Sequence, residues 1–120
     1  MNVLGIALSG MQAAQAQLNA TATNVANLNT PGYKAQGVDR VDISGGGVAV
    51  GGTSYSPTPR PAQPDGTPGS NVDLGSEMLN LTRAQLLYSA NAAVVRVGQR
   101  MTGALLDMFD NQDHGRDKQG

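Results

Sequence analysis

The sequence predicts a mainly α-helical fold. An N-terminal and a C-terminal helix pair as a coiled-coil-like hairpin, with a short, weak β-hairpin and an extended, Pro- and Gly-rich segment between them. Two patterns carry this prediction. Apolar residues recur at alternating intervals of four and three near both ends of the chain, as is typical of helices that pack on other helices. Five of the six prolines lie within residues 56–70, where they favour a polyproline-like connector.

Length and composition limit the possible function classes. The chain has 120 residues, which favours one domain, and its net charge of −1 gives no reason to expect nucleic acid or an anionic membrane as partner. Leu, Ile, Val and Phe make up only one fifth of the residues, close to the lower limit for a self-contained core. There is no Cys, so disulfides and thiolate metal sites are excluded. No run approaches the roughly 18 apolar residues of a membrane span, so we expect no direct membrane insertion.

The first helix is predicted over residues 3–28, within an N-terminal unit of residues 1–34. Its apolar seam runs from Leu4 to Val25, with Gln15 as its one polar member. No charged side chain precedes Lys34. A neutral helix is suited to packing on several sides, because buried charge is costly unless it is paired.

A turn is predicted to end this helix. Pro31 disfavours the α conformation of Thr30, and Thr30–Tyr33 fits a type II turn in which Gly32 supplies the positive φ. Asn27 and Asn29 can cap the last helical turn.

Residues 35–70 are predicted to form a short β or extended connector, with two strands on either side of Ser44–Gly47. The C-terminal helix is predicted within residues 71–109, with Ser70 or Asp73 as its N-cap. Residues 110–120 carry no apolar side chain and are predicted to be a disordered tail.

Two offset apolar seams follow the C-terminal helix, one from Leu74 and one from Leu87. A single partner helix as short as the first one cannot cover both seams, so more than one neighbour is expected. Gly75, Gly98 and Gly103 each cost about 1 kcal/mol inside a helix, so they need a packing reason or mark bends. The candidate assembly seam of the two helices comprises Leu4, Leu8, Met11, Leu18, Val25, Met78, Leu81, Tyr88, Asn91, Val94, Val95, Met101, Leu105 and Leu106.

The sequence offers little for catalysis. Its only His is His114, which lies in the predicted tail and cannot serve a nucleophile there. Asp73, Glu77 and Asp107 are interpreted as helix caps or as carboxylates on a solvated face. We therefore predict no catalytic, cofactor-binding or metal-binding residue and no enzymatic activity.

The run from Asn24 to Lys34 resembles the hallmark of bacterial flagellar rod and hook proteins. In that family Asn, an aliphatic residue, Ala and Asn precede Thr-x-Gly-Tyr-Lys. The matching residues here are Asn24, Val25, Ala26, Asn27, Thr30, Gly32, Tyr33 and Lys34. The stretch from Asn71 to Asn91 is similar to the C-terminal helix of the same family, and the whole resemblance covers residues 1–35 and 71–109.

The resemblance implies a structural subunit of the flagellar basal-body rod, which spans the periplasm. Its terminal helices would pair and line a helical axial tube, together with copies of itself and other axial proteins. It would be exported through the flagellar type III apparatus without a cleaved signal peptide. The short middle favours a proximal-rod subunit, and the Pro-rich approach to the second helix resembles the C type of that group.

The residues alone leave other functions open besides the rod subunit. The second-ranked function is a helical-hairpin adaptor that does not polymerise or a secreted coiled-coil interaction protein, which would pack the same seams on one partner helix. An enzyme ranks third, because no residue pattern supports it.

Overall fold

The computed structural model describes residues 2–117, with the side chains of residues 2–116. Its elements are helix α1 (Val3–Ala26), strands β1 (Gln36–Asp42) and β2 (Val48–Tyr55), and helix α2 (Leu74–Asp117). The helices run antiparallel, with Leu4 beside Gly98 and Asn24 beside Glu77. The molecule is elongated, measuring 90 × 25 × 14 Å. The predicted mainly α fold, two paired helices with a short β-hairpin between them, is confirmed.

Helix α1 satisfies its polar groups without any charged side chain. Asn2 is its N-cap, and its side-chain oxygen accepts the N–H of Gly5 at 2.7 Å. Within the helix, Gln15 Nε2 donates to Asn19 Oδ1 at 3.1 Å, one turn further on. Such carboxamide pairs keep donors and acceptors matched when water is excluded.

The β-hairpin is anchored on α1. The strands pair antiparallel from Gln36 opposite Tyr55 to Asp42 opposite Val48. Between them the chain turns through Ile43–Gly47. Ser9 Oγ accepts the N–H of Val48 at 3.1 Å. Since an isolated two-stranded hairpin is only marginally stable in water, this contact with the helix helps to hold it.

The Pro-rich segment folds back on itself, so the prediction of a simply extended connector is wrong for residues 61–69. The Gly66 N–H donates to the Gln63 carbonyl at 2.9 Å, and Gly66 has a φ of 84°. The Gln63 N–H in turn donates to the Thr67 carbonyl at 2.8 Å. Pro-Asp-Gly is a strong turn signal, and here it closes a small hairpin-like loop.

Helix α2 is longer than predicted. Asp73 caps it, because its Oδ1 accepts the Gly75 N–H at 3.1 Å and its Oδ2 accepts the Ser76 hydroxyl at 3.0 Å. The helix runs for 44 residues, about 66 Å at 1.5 Å per residue. The predicted disordered tail is therefore wrong for residues 110–117, and residues 118–120 lie outside the described part of the chain.

Local interactions explain why the end of α2 is helical without apolar residues. His114 Nε2 lies 3.6 Å from Asp110 Oδ1, one turn earlier. Arg116 stands in the last turn, where its positive charge interacts favourably with the helix dipole. A long helix also extends at low cost once it is nucleated.

The two helices approach closely because glycines lie at their contact. A Cβ on Gly10 would lie 2.7 Å from the side-chain Nδ2 and Oδ1 of Asn91. A Cβ on Gly98 would lie 2.6 Å from Cδ2 of Leu4, so Gly98 has a packing reason. Gly103 has none within the chain, since a Cβ there would meet nothing within 4 Å.

We expect Gly10→Ala and Gly103→Ala to have opposite effects on stability. Alanine is about 1 kcal/mol more favourable than glycine inside a helix, and at Gly103 this gain is unopposed. At Gly10 the added methyl group would overlap the amide of Asn91, whose Nδ2 already donates to the Leu87 carbonyl at 2.8 Å. Thermal unfolding followed by circular dichroism should show a higher midpoint for Gly103→Ala and a lower one for Gly10→Ala. Equal midpoints would contradict the close helix contact.

Candidate assembly surface

The side chain of Asn24 joins three elements of the fold. It is fully buried (0% exposed) in the last turn of α1. Its Nδ2 donates to the Gln36 carbonyl at 2.8 Å and to Glu77 Oε1 at 3.0 Å. Its Oδ1 accepts the Gln36 N–H at 2.8 Å and the Tyr33 hydroxyl at 2.9 Å. A carboxamide has two donors and two main acceptor sites, so all four are used in what we call the Asn24 node: Asn24, Tyr33, Gln36 and Glu77.

Glu77 is the unexpected member of this node. The sequence interpretation as a cap or solvated carboxylate is wrong, because Glu77 is only 6% exposed. Its Oε1 accepts from Asn24, whereas its Oε2 has no hydrogen-bond partner within the described residues. Position in the first turn of α2 suggested a dipole interaction, but the antiparallel pairing places Glu77 opposite Asn24 and buries it.

The surroundings of Tyr33 change its acidity. Burial raises the pKa of Tyr33 above its usual value of 10.0, and the nearby charge of Glu77, with that of Tyr55, raises this pKa further. The neutral phenol therefore suits the node, since it donates its proton to Asn24 Oδ1.

The turn after α1 has the predicted geometry. Gly32 has a φ of 75°, and the Tyr33 N–H donates to the Thr30 carbonyl at 3.2 Å, as a type II turn requires. Thr30 Oγ1 donates to Asn27 Oδ1 at 3.0 Å, and the Gly32 N–H donates to the Pro68 carbonyl at 2.8 Å. The turn is thus tied to both the helix end and the connector.

The remaining motif residues lie on the outside. Ala26 and Lys34 are exposed. The structure brings Asn24 and Tyr33 together in the node. Asn27, Thr30 and Gly32 form the turn. Within the described residues, no contact explains why Ala26 and Lys34 belong to the motif.

Asn71 is a connecting residue that the predicted site did not include. Its Oδ1 accepts the Ala35 N–H at 2.6 Å, and its Nδ2 donates to the carbonyls of Ser56 at 3.2 Å and Thr58 at 2.9 Å. Its own N–H donates to the Tyr33 carbonyl at 3.2 Å. The match of Asn71 to the family pattern was the one sequence feature that pointed to it. Its hydrogen bonds could not be predicted, because they join chain segments that are distant in sequence.

The fully buried side chains at the contact between the helices are small or polar. No aliphatic member of the predicted seam is fully buried, although Leu4 lies against Gly98. The buried side chains of α1 and α2 are those of Ala7, Ser9, Ala13, Ala14, Ala20, Thr21, Asn24, Glu77 and Ala84. Within residues 2–116, no Leu, Ile, Val, Met, Phe or Tyr is buried.

The candidate seam residues therefore face partly or wholly outward. Six are half-buried: Leu4, Met11, Leu18, Leu81, Asn91 and Val95. Eight are exposed: Leu8, Val25, Met78, Tyr88, Val94, Met101, Leu105 and Leu106. No observation tests their role between subunits, and it stays a prediction.

The C-terminal part of α2 carries the most exposed apolar side chains. Residues 101–116 are all exposed, and Met101 is 68% exposed. A groove of about 540 Å³ opens where α1 begins, between Val3 and Leu4 on one side and Val94, Val97 and Met101 on the other. The groove and the exposed end of α2 together form an apolar surface that suits packing against another helix.

Within the described residues, no three His, Cys, Asp or Glu side chains are grouped to hold a metal ion. No helix in the same part of the chain is long and apolar enough to span a bilayer.

We expect Gly32→Val to destabilise the turn more than Gly32→Asn. A Cβ at Gly32 has room, since its nearest neighbour would be Arg60 Nη1 at 3.7 Å, so the cost is conformational. A β-branched residue is a genuine outlier at positive φ, whereas Asn is found there several-fold more often than most residues. Chemical denaturation of the two variants measures this difference. Equal free energies of unfolding would argue against the type II turn.

The raised pKa of Tyr33 predicts a loss of stability in alkali. The folded state holds this proton more tightly than the unfolded state, so the stability is complete below pH 10 and falls as the pH rises through the folded-state pKa. Tyr33→Phe should flatten this decline, and it should also lower the free energy of unfolding at neutral pH by about 1 kcal/mol through the lost hydrogen bond.

Urea denaturation between pH 8 and about pH 11 measures how the free energy of unfolding changes with pH. Tyr88→Phe is the matched control, because it retains Tyr33 and should therefore lose stability in alkali as the unmodified chain does. An alkaline decline that is as steep in Tyr33→Phe as in the control would contradict the prediction.

Comparison with known proteins agrees with the resemblance at both ends of the chain. Residues 4–34 match the family model described as flagella basal body rod protein. Residues 68–108 match the model described as flagellar basal body rod FlgEFG protein C-terminal. A search of curated proteins finds no match. The two matched segments are α1 with its turn and most of α2 with its approach, in the order that the family requires, and the chain belongs to the flagellar basal-body rod and hook family of axial proteins.

Proposed function

We propose that this chain is a rod subunit that assembles with copies of itself, through its terminal helices, into a helical axial tube. The observation that carries the proposal is the absence of a large buried apolar side chain within residues 2–116, combined with the exposed apolar residues of α2. Full burial of one Val, Leu, Ile, Phe or Met side chain contributes about 1.5–3 kcal/mol, so neighbouring subunits can supply much of the stability that the isolated chain lacks.

The arrangement of the helices supports packing on several sides. Their mutual contact uses small residues, which leaves Leu8 and Val25 on α1 and Leu79 and Leu86 on α2 exposed at the same time. One further partner helix cannot cover residues spread over both helices. An assembly in which each subunit has several neighbours can cover them. Head-to-tail contacts between subunits form a ring if the rotation closes and a helical filament if it does not.

A proximal-rod subunit of the FlgC type is the subtype that we propose. Between Ala26 and Leu74 the chain holds only a two-stranded sheet and the folded connector, without a large β-rich domain. The partners would then be copies of this chain and other rod proteins. Export through the flagellar type III apparatus, without a cleaved signal peptide, and a position in the periplasm-spanning rod follow from the same proposal, as does the absence of membrane insertion.

A non-polymerising adaptor is the alternative function. It would bury the exposed surface against one partner protein and remain a monomer at high concentration. The exposed apolar surface fits both functions, and the behaviour of the purified protein distinguishes them.

Met101→Asp should abolish assembly while leaving the isolated chain folded. Met101 is exposed in the chain, so the substitution removes no internal contact of a buried side chain. In an interface it would bury an unpaired carboxylate, at a cost of about 3 kcal/mol or more, which corresponds to at least a ~100-fold higher concentration for assembly. Sedimentation over a concentration series and negative-stain imaging measure this.

Gln85→Glu is the matched control, since it adds the same charge at an exposed polar position of the same helix, outside the groove and outside residues 101–116. It should assemble like the unmodified chain, and both variants should have the same helix content when dilute. A wild-type chain that stays monomeric at all concentrations would favour the adaptor, and unchanged assembly of Met101→Asp would exclude its surface from the interface.

A further inference from the structure

A cleft with a volume of about 510 Å³ lies beside the Asn24 node. The base of the β-hairpin, the start of the connector and the first turn of α2 form its walls. Among the lining residues are Gln36, Tyr55, Thr58, Asn71, Asp73 and Glu77. Two carboxylates therefore contribute to the walls, and the lining includes no Lys or Arg.

Glu77 contributes a carboxylate oxygen that lacks a hydrogen-bond donor in the described part of the chain. Glu77 is part of the lining although it is only 6% exposed, and its buried Oε2 has no hydrogen-bond partner within the described residues. A buried carboxylate is costly unless its oxygens are paired or hydrogen-bonded. The terminal torsion of a glutamate is broad, so the carboxylate can turn its free oxygen towards a donor that enters the cleft.

Asp73 increases the negative potential of the cleft, but it has no unpaired oxygen with which to bind a cation. Both of its oxygens already accept hydrogen bonds, from the Gly75 N–H and the Ser76 hydroxyl. The cleft thus combines one occupied and one incompletely paired carboxylate with hydroxyl groups around them. This chemistry selects a cation that carries several N–H donors, which is a guanidinium group.

Helix α2 carries arginine side chains whose guanidinium groups could bind in such a cleft. Within the described residues, the one basic side chain within 4 Å of a carboxylate is that of His114, beside Asp110, so Arg83, Arg96 and Arg100 have no acidic partner there. Arg83, Arg96 and Arg100 are all exposed along the helix that also carries the apolar assembly surface. A second copy whose α2 reaches the cleft would present these guanidinium groups to it.

We propose that the Glu77 cleft receives an arginine side chain from α2 of a second copy, and that this charge pair sets the register between subunits. The proposal rests on the self-assembly proposed above. It assigns to Glu77 a function between chains besides its hydrogen bond within the chain. A guanidinium held by the Glu77 carboxylate would pair the free Oε2 in a geometry that a misplaced apolar contact cannot reproduce.

The cleft can be tested without assembly. Dilute chain is titrated with N-acetyl-arginine amide, a monovalent guanidinium probe, and amide chemical shifts are followed by NMR. Shifts at Tyr55, Asn71 and Ser76 are expected in the wild type and in Asp107→Asn, which removes an exposed carboxylate elsewhere on α2. They should be lost in Glu77→Gln. Absence of shifts in the wild type, or equal shifts in Glu77→Gln, would overturn the cation site.

The partner is tested by assembly. Glu77→Gln should raise the concentration required for assembly at least tenfold relative to Asp42→Asn, which removes an exposed carboxylate of β1 outside the apolar assembly surface. One of Arg83→Gln, Arg96→Gln and Arg100→Gln should reproduce this rise, and its double variant with Glu77→Gln should add little, as expected for two ends of one pair. Fully additive effects of all three, or normal assembly of Glu77→Gln, would overturn this pairing and leave self-assembly itself standing. Failure of the wild type to assemble would instead count against the proposed function.

Discussion

The rest of the fold depends on the hydrogen bonds of one buried carboxamide, that of Asn24. It is the only side chain in the described part of the chain that bonds to the first strand and to α2 while standing on α1. Its removal would leave the Gln36 amide and the Glu77 carboxylate without their buried partner, and each such group costs about 1–3 kcal/mol. The node therefore fixes the register of the two helices, much as a single buried Asn does in a coiled coil.

Small residues at the helix contact determine where the large apolar side chains lie. Gly10 and Gly98 let the backbones approach until Asn91 and Leu4 fill the space of the missing Cβ atoms. A contact made by glycine, alanine and hydroxyl groups gains little from apolar burial, so the chain remains poor in internal stability. The aliphatic side chains stay available outside, which suits a structural protein of the flagellar basal-body rod.

The elements with local signals could be predicted from the sequence. Pro31 and Gly32 specify the turn, and Asp73 caps α2, because the neighbouring backbone alone decides these positions. Heptad spacing revealed the helices but not their facing sides. The buried residues Ala7, Ala14 and Thr21 recur at heptad spacing beside the predicted seam. Periodicity cannot tell an internal seam from one between subunits. The burial of Glu77 and the bonds of Asn71 depend on segments far apart in sequence, so no local pattern contained them.

The neutral character of α1 and the buried carboxylate of Glu77 complement each other in the proposed assembly. Along α1, the carboxamide of Gln15 bonds to that of Asn19, so these polar groups stay satisfied where a neighbour removes water. Such a surface can pack on neighbours in several orientations and does not by itself specify one of them. Glu77 is different, because Oε2 of its buried carboxylate has no partner within the described residues. In the proposed assembly, a donor from a neighbour at this place would supply the selectivity that apolar contacts lack, since every wrong register would leave the buried carboxylate unpaired.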